Sequence, residues 1–163
     1  MKPLLILILS LSFSIAAVGQ DDSADTFNKA EAMNQTVNGK KEGKWIENFT
    51  VDEVKAVDTA LHQPYYRLIL YKAGIPYGMV YEYYPNGELY SKTKYVNGQK
   101  NGLARFYYRD GKLEEEIIYR DDIENGIDKL YYESGKLKSK TIYNNGVPGI
   151  TKNYDENGNE FKK

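Results

Sequence analysis

The 163-residue sequence contains no cysteine, one histidine and one tryptophan. The missing cysteines exclude disulfides, thiolate metal sites and cysteine nucleophiles. The lone histidine, His62, stands beside the turn at Pro64 and reads as a surface residue, not a catalytic base. There is no excess of basic residues either: the formal net charge is −1, which argues against a nucleic-acid partner. No glycine-rich loop followed by a lysine is present to cradle phosphates. The acidic run Asp155 to Glu160 lacks the spacing of a calcium loop. Asp121, Asp122 and Glu124 read as a solvated hairpin tip. Glu114, Glu115 and Glu116 alternate faces on a strand and so do not form one carboxylate pair. These absences predict no catalytic residue, no cofactor and no metal site, and hence not an enzyme.

What the chain has in quantity is tyrosine, 16 residues against five phenylalanines, and the tyrosines recur. Tyr71, Tyr95, Tyr119 and Tyr143 are spaced by 24 residues. Gly78, Gly102 and Gly126 keep the same step, as do the pairs Tyr83-Tyr84, Tyr107-Tyr108 and Tyr131-Tyr132. Gly87, Gly111 and Gly135 repeat with them, and so do Leu89, Leu113 and Leu137. A fixed period of this length marks a repeat architecture, not an ordinary globular core.

Within one period, Leu103 to Tyr108 and Lys112 to Tyr119 are two strand-like runs joined by Arg109-Asp110-Gly111. That pattern predicts a β-hairpin with the glycine in a left-handed conformation. Pro85-Asn86-Gly87, Glu133-Ser134-Gly135 and Glu156-Asn157-Gly158 are the equivalent turns. Simple alternation places Leu103, Arg105, Tyr107, Leu113, Glu115, Ile117 and Tyr119 on one face. Keeping Leu103 on the face of Tyr95 requires one extra residue to be absorbed in the link between hairpins. A bulge near Gly102 is therefore expected, with Gly78 and Gly126 doing the same; alternatively the glycines leave room for a tyrosine ring. Lys136, Lys138 and Lys140 read as a solvated row.

The ends depart from the repeat. Lys2, the apolar stretch Leu4 to Ile15 and the small residues Ala17-Val18-Gly19 have the layout of a secretory signal peptide, residues 1–19, cleaved after Gly19. Residues 20–36 read as a flexible polar linker. The repeat domain is expected over 37–163, in units near 37–71, 71–95, 95–119, 119–143 and 143–163. The first unit is interrupted near 50–64, where a capping-box spacing at Thr50 to Glu53 and apolar residues at helical spacing predict a short helix or a loop. The last unit is one residue short and more polar, as a terminal cap would be. The fold class expected is all-β: an open, single-layer antiparallel meander of tandem hairpins.

The pattern Tyr-x-x-Gly-x-x-x-Gly, then Tyr-Tyr-x-x-Gly-x-Leu and a return to tyrosine, resembles the MORN-repeat variant family, whose bacterial members often carry the label of YwqK-like antitoxins. The resemblance covers residues 37–163 and is strongest over 71–143. It implies an open sheet of consecutive hairpins and an association with protein scaffolding or lipid binding. The function expected is an exported, non-enzymatic scaffold, periplasmic or extracellular, that binds a protein through a sheet face or edge. Tyr83, Tyr95, Tyr107, Tyr119 and Tyr131 are the candidate contact residues. A cell-wall glycan binder using the tyrosines as stacking platforms and an antitoxin-like partner protein are the alternatives. No nucleic acid, and no membrane span after cleavage, is expected.

Overall fold

A computed structural model describes residues 27–49 and 66–162. The expected leader over 1–19 and the helix or loop over 50–64 lie outside the described residues. Among the described residues, fourteen strands form one antiparallel sheet. They are β1 (Gln35–Val37), β2 (Lys40–Asn48), β3 (Tyr66–Lys72), β4 (Ile75–Tyr83), β5 (Leu89–Val96), β6 (Gln99–Lys100) and β7 (Gly102–Tyr107). Then follow β8 (Leu113–Arg120), β9 (Ile123–Glu124), β10 (Gly126–Tyr131), β11 (Leu137–Asn144), β12 (Val147–Pro148), β13 (Lys152–Tyr154) and β14 (Glu160–Phe161). Strand order follows chain order, with β6, β9 and β12 pairing back on β5, β8 and β11. The sheet does not close on itself. Its two edge strands, β1 and β14, are short, which limits unwanted pairing along the edges.

The glycine-ended turns behave as the residues demand. Gly111 N–H donates to the Tyr108 carbonyl at 2.9 Å, and Tyr108 N–H donates to that of Lys112 at 2.9 Å. Gly111 itself sits at φ +82°, a region open to glycine at no steric cost. The links between hairpins are two-residue turns with both residues left-handed, as at Asn97 (φ +50°) and Gly98 (φ +88°). Ala73 occupies the same place at φ +51° although it has no side chain suited to it. Ala73→Gly is therefore expected to raise stability by about 0.5–1 kcal/mol, seen as a melting temperature higher by a few degrees. An unchanged or lower melting temperature would show that this turn is not strained.

Pairing register corrects the expected position of the bulge. Tyr107 pairs with Leu113 but Phe106 pairs with Glu115, so Glu114 is an extra residue beside the hairpin turn. The same shift occurs in the neighbouring hairpins, at Tyr90 and Lys138. At the other link Tyr95 pairs with Lys100, while Lys92 pairs with Arg105. Two residues are absorbed around Gly102, not one, so alternation is unchanged there. Gly102 stands at φ +105° with open space where a Cβ would be. Its backbone conformation, not room for a ring, is what calls for glycine. The last unit, one residue short, absorbs only one: Tyr143 pairs with Pro148 and Lys140 with Lys152. The deletion falls in the irregular link, and the pairing beyond it is preserved.

Burial lies mostly on the first hairpins. Leu68 and Leu70 pack with Phe27, Ile46, Tyr66 and Tyr83 on one face. Ile69, Tyr71 and Val80 pack with Trp45 and Tyr95 on the other. Phe27 corrects the expectation of a flexible linker over 20–36 for its described part. It is buried, and a short 3-10 turn (Lys29–Glu31) with a capping box at Asn28 follows it. The Asn34 side chain then accepts from Ile46 N–H at 2.8 Å and donates to the Ile46 carbonyl at 3.2 Å, continuing the edge beyond β1. The segment is polar in composition, but one aromatic residue and one amide are enough to anchor it.

Candidate partner-binding face

Cross-strand partners share a face, so the register assigns every side chain to one side of the sheet. One row runs Ile46, Leu68, Tyr81, Lys92, Arg105, Glu116, Lys129, Lys140 and Lys152 from β2 to β13. This side is called face 1. The row of face 2 runs Glu47, Arg67, Glu82, Ser91, Phe106, Glu115, Leu130, Ser139 and Asn153.

The candidate tyrosines are thereby divided. Tyr83, Tyr107 and Tyr131 lie on face 1, two residues beyond Tyr81, Arg105 and Lys129, and each pairs with one of the repeating leucines, Leu89, Leu113 and Leu137. Tyr95 and Tyr119 lie on face 2, paired with Gly78 and Gly102, while Gly126 pairs with Tyr143. The expected set that joined Leu103, Arg105 and Tyr107 to Glu115, Ile117 and Tyr119 is corrected. The extra residue Glu114 moves Glu115, Ile117 and Tyr119 to the opposite side. Ala104, Phe106 and Ile117 share that side, with Ala104 fully buried. Gly87 and Gly135, like Gly111, serve the turns at φ +89° and +82°.

Face 2 is largely covered by its own residues. Ser91, Thr93, Ala104, Ile117 and Thr141 are all buried. Lys100 sits 4.9 Å from the centroid of the Tyr119 ring. Burial, reinforced by Glu124, Glu115 and Asp128, pushes the Tyr119 phenol up to about 12. Burial also raises those of Tyr83, Tyr95, Tyr107 and Tyr131. These phenols stay protonated at neutral pH, and that of Tyr131 donates to Glu116 at 3.3 Å.

One residue class that sequence reasoning passed over is the second tyrosine of each pair. Tyr84 donates its hydroxyl to the Tyr107 carbonyl at 2.8 Å, Tyr108 to that of Tyr131 at 2.5 Å, and Tyr132 to that of Tyr154 at 2.8 Å. Each hairpin is stapled to the next through the same residue. Its recurrence at the repeat spacing was visible, but its reach across the repeat boundary was not.

Face 1 changes character along the array. On β3 it is apolar and covered by Phe27. From β7 onward it carries an exposed aliphatic row. Leu103 pairs with Ile118 and Ile127 with Ile142, and these four are 37%, 37%, 36% and 56% exposed. Beside them Glu116 accepts from Arg105 Nε at 2.9 Å and from the Tyr131 hydroxyl at 3.3 Å, with Lys129 at 3.6 Å. Burial opposes ionisation of Glu116, but Arg105, Lys129 and Tyr131 outweigh it and hold the carboxyl below its ordinary range. The lysine row expected on β11 is split: Lys138, the extra residue of its hairpin, lies over the Tyr132 ring, whereas Lys140 is on face 1. Among the described residues, no group of three or more histidines, aspartates or glutamates could hold a metal ion.

Fold and face together define an open tandem-hairpin repeat protein with one covered and one partly exposed side. Residues 76–97, 100–121 and 124–145 each match the family model of the MORN repeat variant, so the chain carries three tandem copies of that repeat. The hairpins built from β2–β3 and β13–β14 flank these copies in the same sheet. No curated protein and no solved structure matches the chain.

Proposed function

We propose that this chain is an exported, non-enzymatic repeat scaffold that holds a protein partner on face 1 of its later repeats. The observation that carries the reading is the contiguous exposed row Leu103, Ile118, Ile127 and Ile142. Contiguous branched aliphatic residues at this exposure mark an interaction surface more than scattered single ones do. Both sheet edges end in short strands, which favours a face over an edge. Export rests on the leader-like residues 1–19.

The test is crosslinking and mass spectrometry on intact cells, comparing wild type with the double variant Ile118→Asp, Ile142→Asp. Both positions are exposed, so the variant is expected to keep its melting temperature within about 2–4 °C and to lose its specific crosslinks. Retention of the same crosslinks would remove the face 1 reading. N-terminal sequencing of the extracytoplasmic fraction is expected to begin at Gln20; intact protein confined to the cytoplasm would remove export.

A further inference from the structure

We propose that the segment received by face 1 is an extended acidic peptide, with large apolar side chains alternating with carboxylates. The inference rests on the partner-binding reading above and names the chemistry of the partner.

The chain supplies an internal precedent. Phe27 sits on Leu68 and Leu70 of face 1. Glu31, four residues on, pairs with Lys44 at 2.5 Å, and Lys44 is the cross-strand partner of Leu70. Face 1 thus already holds one segment that combines an aromatic anchor with a carboxylate. Two repeat steps later, Leu68 and Leu70 correspond to Glu116 and Ile118; one step further they correspond to Lys140 and Ile142. At the intervening step the pair is Lys92 and Lys94, so the outer position is a lysine once and returns to isoleucine at Ile118 and Ile142, while the inner one is charged at all three steps. No described segment of the chain covers Ile118 or Ile142, which remain exposed.

Charge complementarity selects the occupant. The net charge of the whole chain is −1, yet face 1 gathers Lys92, Lys94, Arg105, Lys129, Lys140 and Lys152. Against them stand Glu116, already engaged by Arg105 and Lys129, and Glu160, which pairs with Lys152 at the far edge. Among the described residues, Lys92, Lys94 and Lys140 have no carboxylate partner. Carboxylates concentrate on the other side, at Glu47, Glu82, Glu115 and Asp128. Two copies of this chain meeting by face 1 would bring lysine rows together, which disfavours a symmetric dimer. From Leu103 to Ile142 the row crosses three inter-strand spacings, on the order of 15 Å. About five residues of extended chain span that distance. Alternate residues of such a chain point the same way, so apolar side chains can cover the aliphatic row while the carboxylates between them reach lysines on either side.

The test uses the full chain and a fluorescein-labelled twelve-residue peptide of alternating Glu and Leu or Phe, with a Lys-for-Glu control peptide and phosphatidylglycerol vesicles as further arms. Anisotropy is expected to show saturable binding of the acidic peptide alone, weakened at least tenfold by Lys94→Glu, Lys140→Glu and by raising salt from about 50 to 300 mM. Melting temperature checks that the variant is folded, and Lys94→Gln, Lys140→Gln gives an intermediate loss without charge reversal. Equal binding of the basic peptide, vesicle binding without peptide binding, or unchanged affinity in the reversed variant would each overturn the inference. If crosslinks to a partner survive Lys94→Glu, Lys140→Glu but are lost in Ile118→Asp, Ile142→Asp, the acidic-segment inference falls while the face 1 reading stands.

Discussion

Replacement of Tyr84 by alanine is expected to cost about 3–5 kcal/mol, a large part of the roughly 5–15 kcal/mol that holds a domain of this size together. Tyr84 is fully buried. Its ring meets Tyr90 edge-on at 5.2 Å and lies under the Arg109 guanidinium at 5.1 Å. Its hydroxyl ties the hairpin β4–β5 to the Tyr107 carbonyl of the next. Tyr84→Phe keeps the ring and removes only that bond, so its cost is expected to be about 1 kcal/mol. Urea unfolding followed by circular dichroism separates the two. A Tyr84→Ala loss no larger than that of Tyr84→Phe would show that the ring is not what joins the repeats. In an array where each hairpin touches only its neighbours, weakening one junction is expected to lower cooperativity as well as stability.

Removing one carboxyl should have the opposite effect, stabilising the protein at neutral and higher pH. Glu115 lies half-buried on face 2, and burial, helped by the charges of Asp128, Glu114 and Glu124, pushes it up to about 7. Asp128 is raised too, by burial and by Glu124, and its Oδ1 is buried with no hydrogen-bond partner among the described residues. An acid whose folded-state value is raised contributes stability that is complete below its unfolded value. That contribution is lost as pH climbs through the folded value. Stability should therefore fall from pH 5 to pH 8. A shift to about 7 corresponds to about 3 kcal/mol if fully expressed, and partial solvent access reduces this to about 1–2 kcal/mol. Glu115→Gln is expected to recover that amount at pH 8 and to flatten the profile. Thermal melts across this range check it; a variant as pH-sensitive as wild type would assign the effect elsewhere. Glu47 and Glu116, which their cationic neighbours hold low, titrate below this window.

Much of the fold could be read directly. The turns at Gly87, Gly111 and Gly135 need a left-handed residue, and glycine after Asn, Asp or Ser is a local signal that tertiary context seldom overrides. The spacing of Tyr71, Tyr95, Tyr119 and Tyr143 likewise implied identical hairpins, and the structure builds them. The assignment of faces was less legible. It depends on whether one residue or two are absorbed at each irregularity, and a shift of one moves every later side chain to the other side. Nothing in the composition near Gly102 or Glu114 distinguishes the two. For that reason simple alternation puts Leu103 and Ile117 on one face, although Leu103 pairs with Ile118 and Ile117 lies on the other side. The docking of Phe27 was hidden for a different reason: its partners Leu68 and Leu70 are some 40 residues away, across a segment with no repeat signal.

By itself the sequence determined the unit, its period and its turns, because these rest on backbone geometry within a few residues. Only the tertiary structure decided which tyrosines staple the repeats and which line a surface. It also decided that a chain of net charge −1 sets Lys92, Lys94, Lys129, Lys140 and Lys152 on one side. Both follow from register, a long-range property set by how bulges accumulate between distant strands.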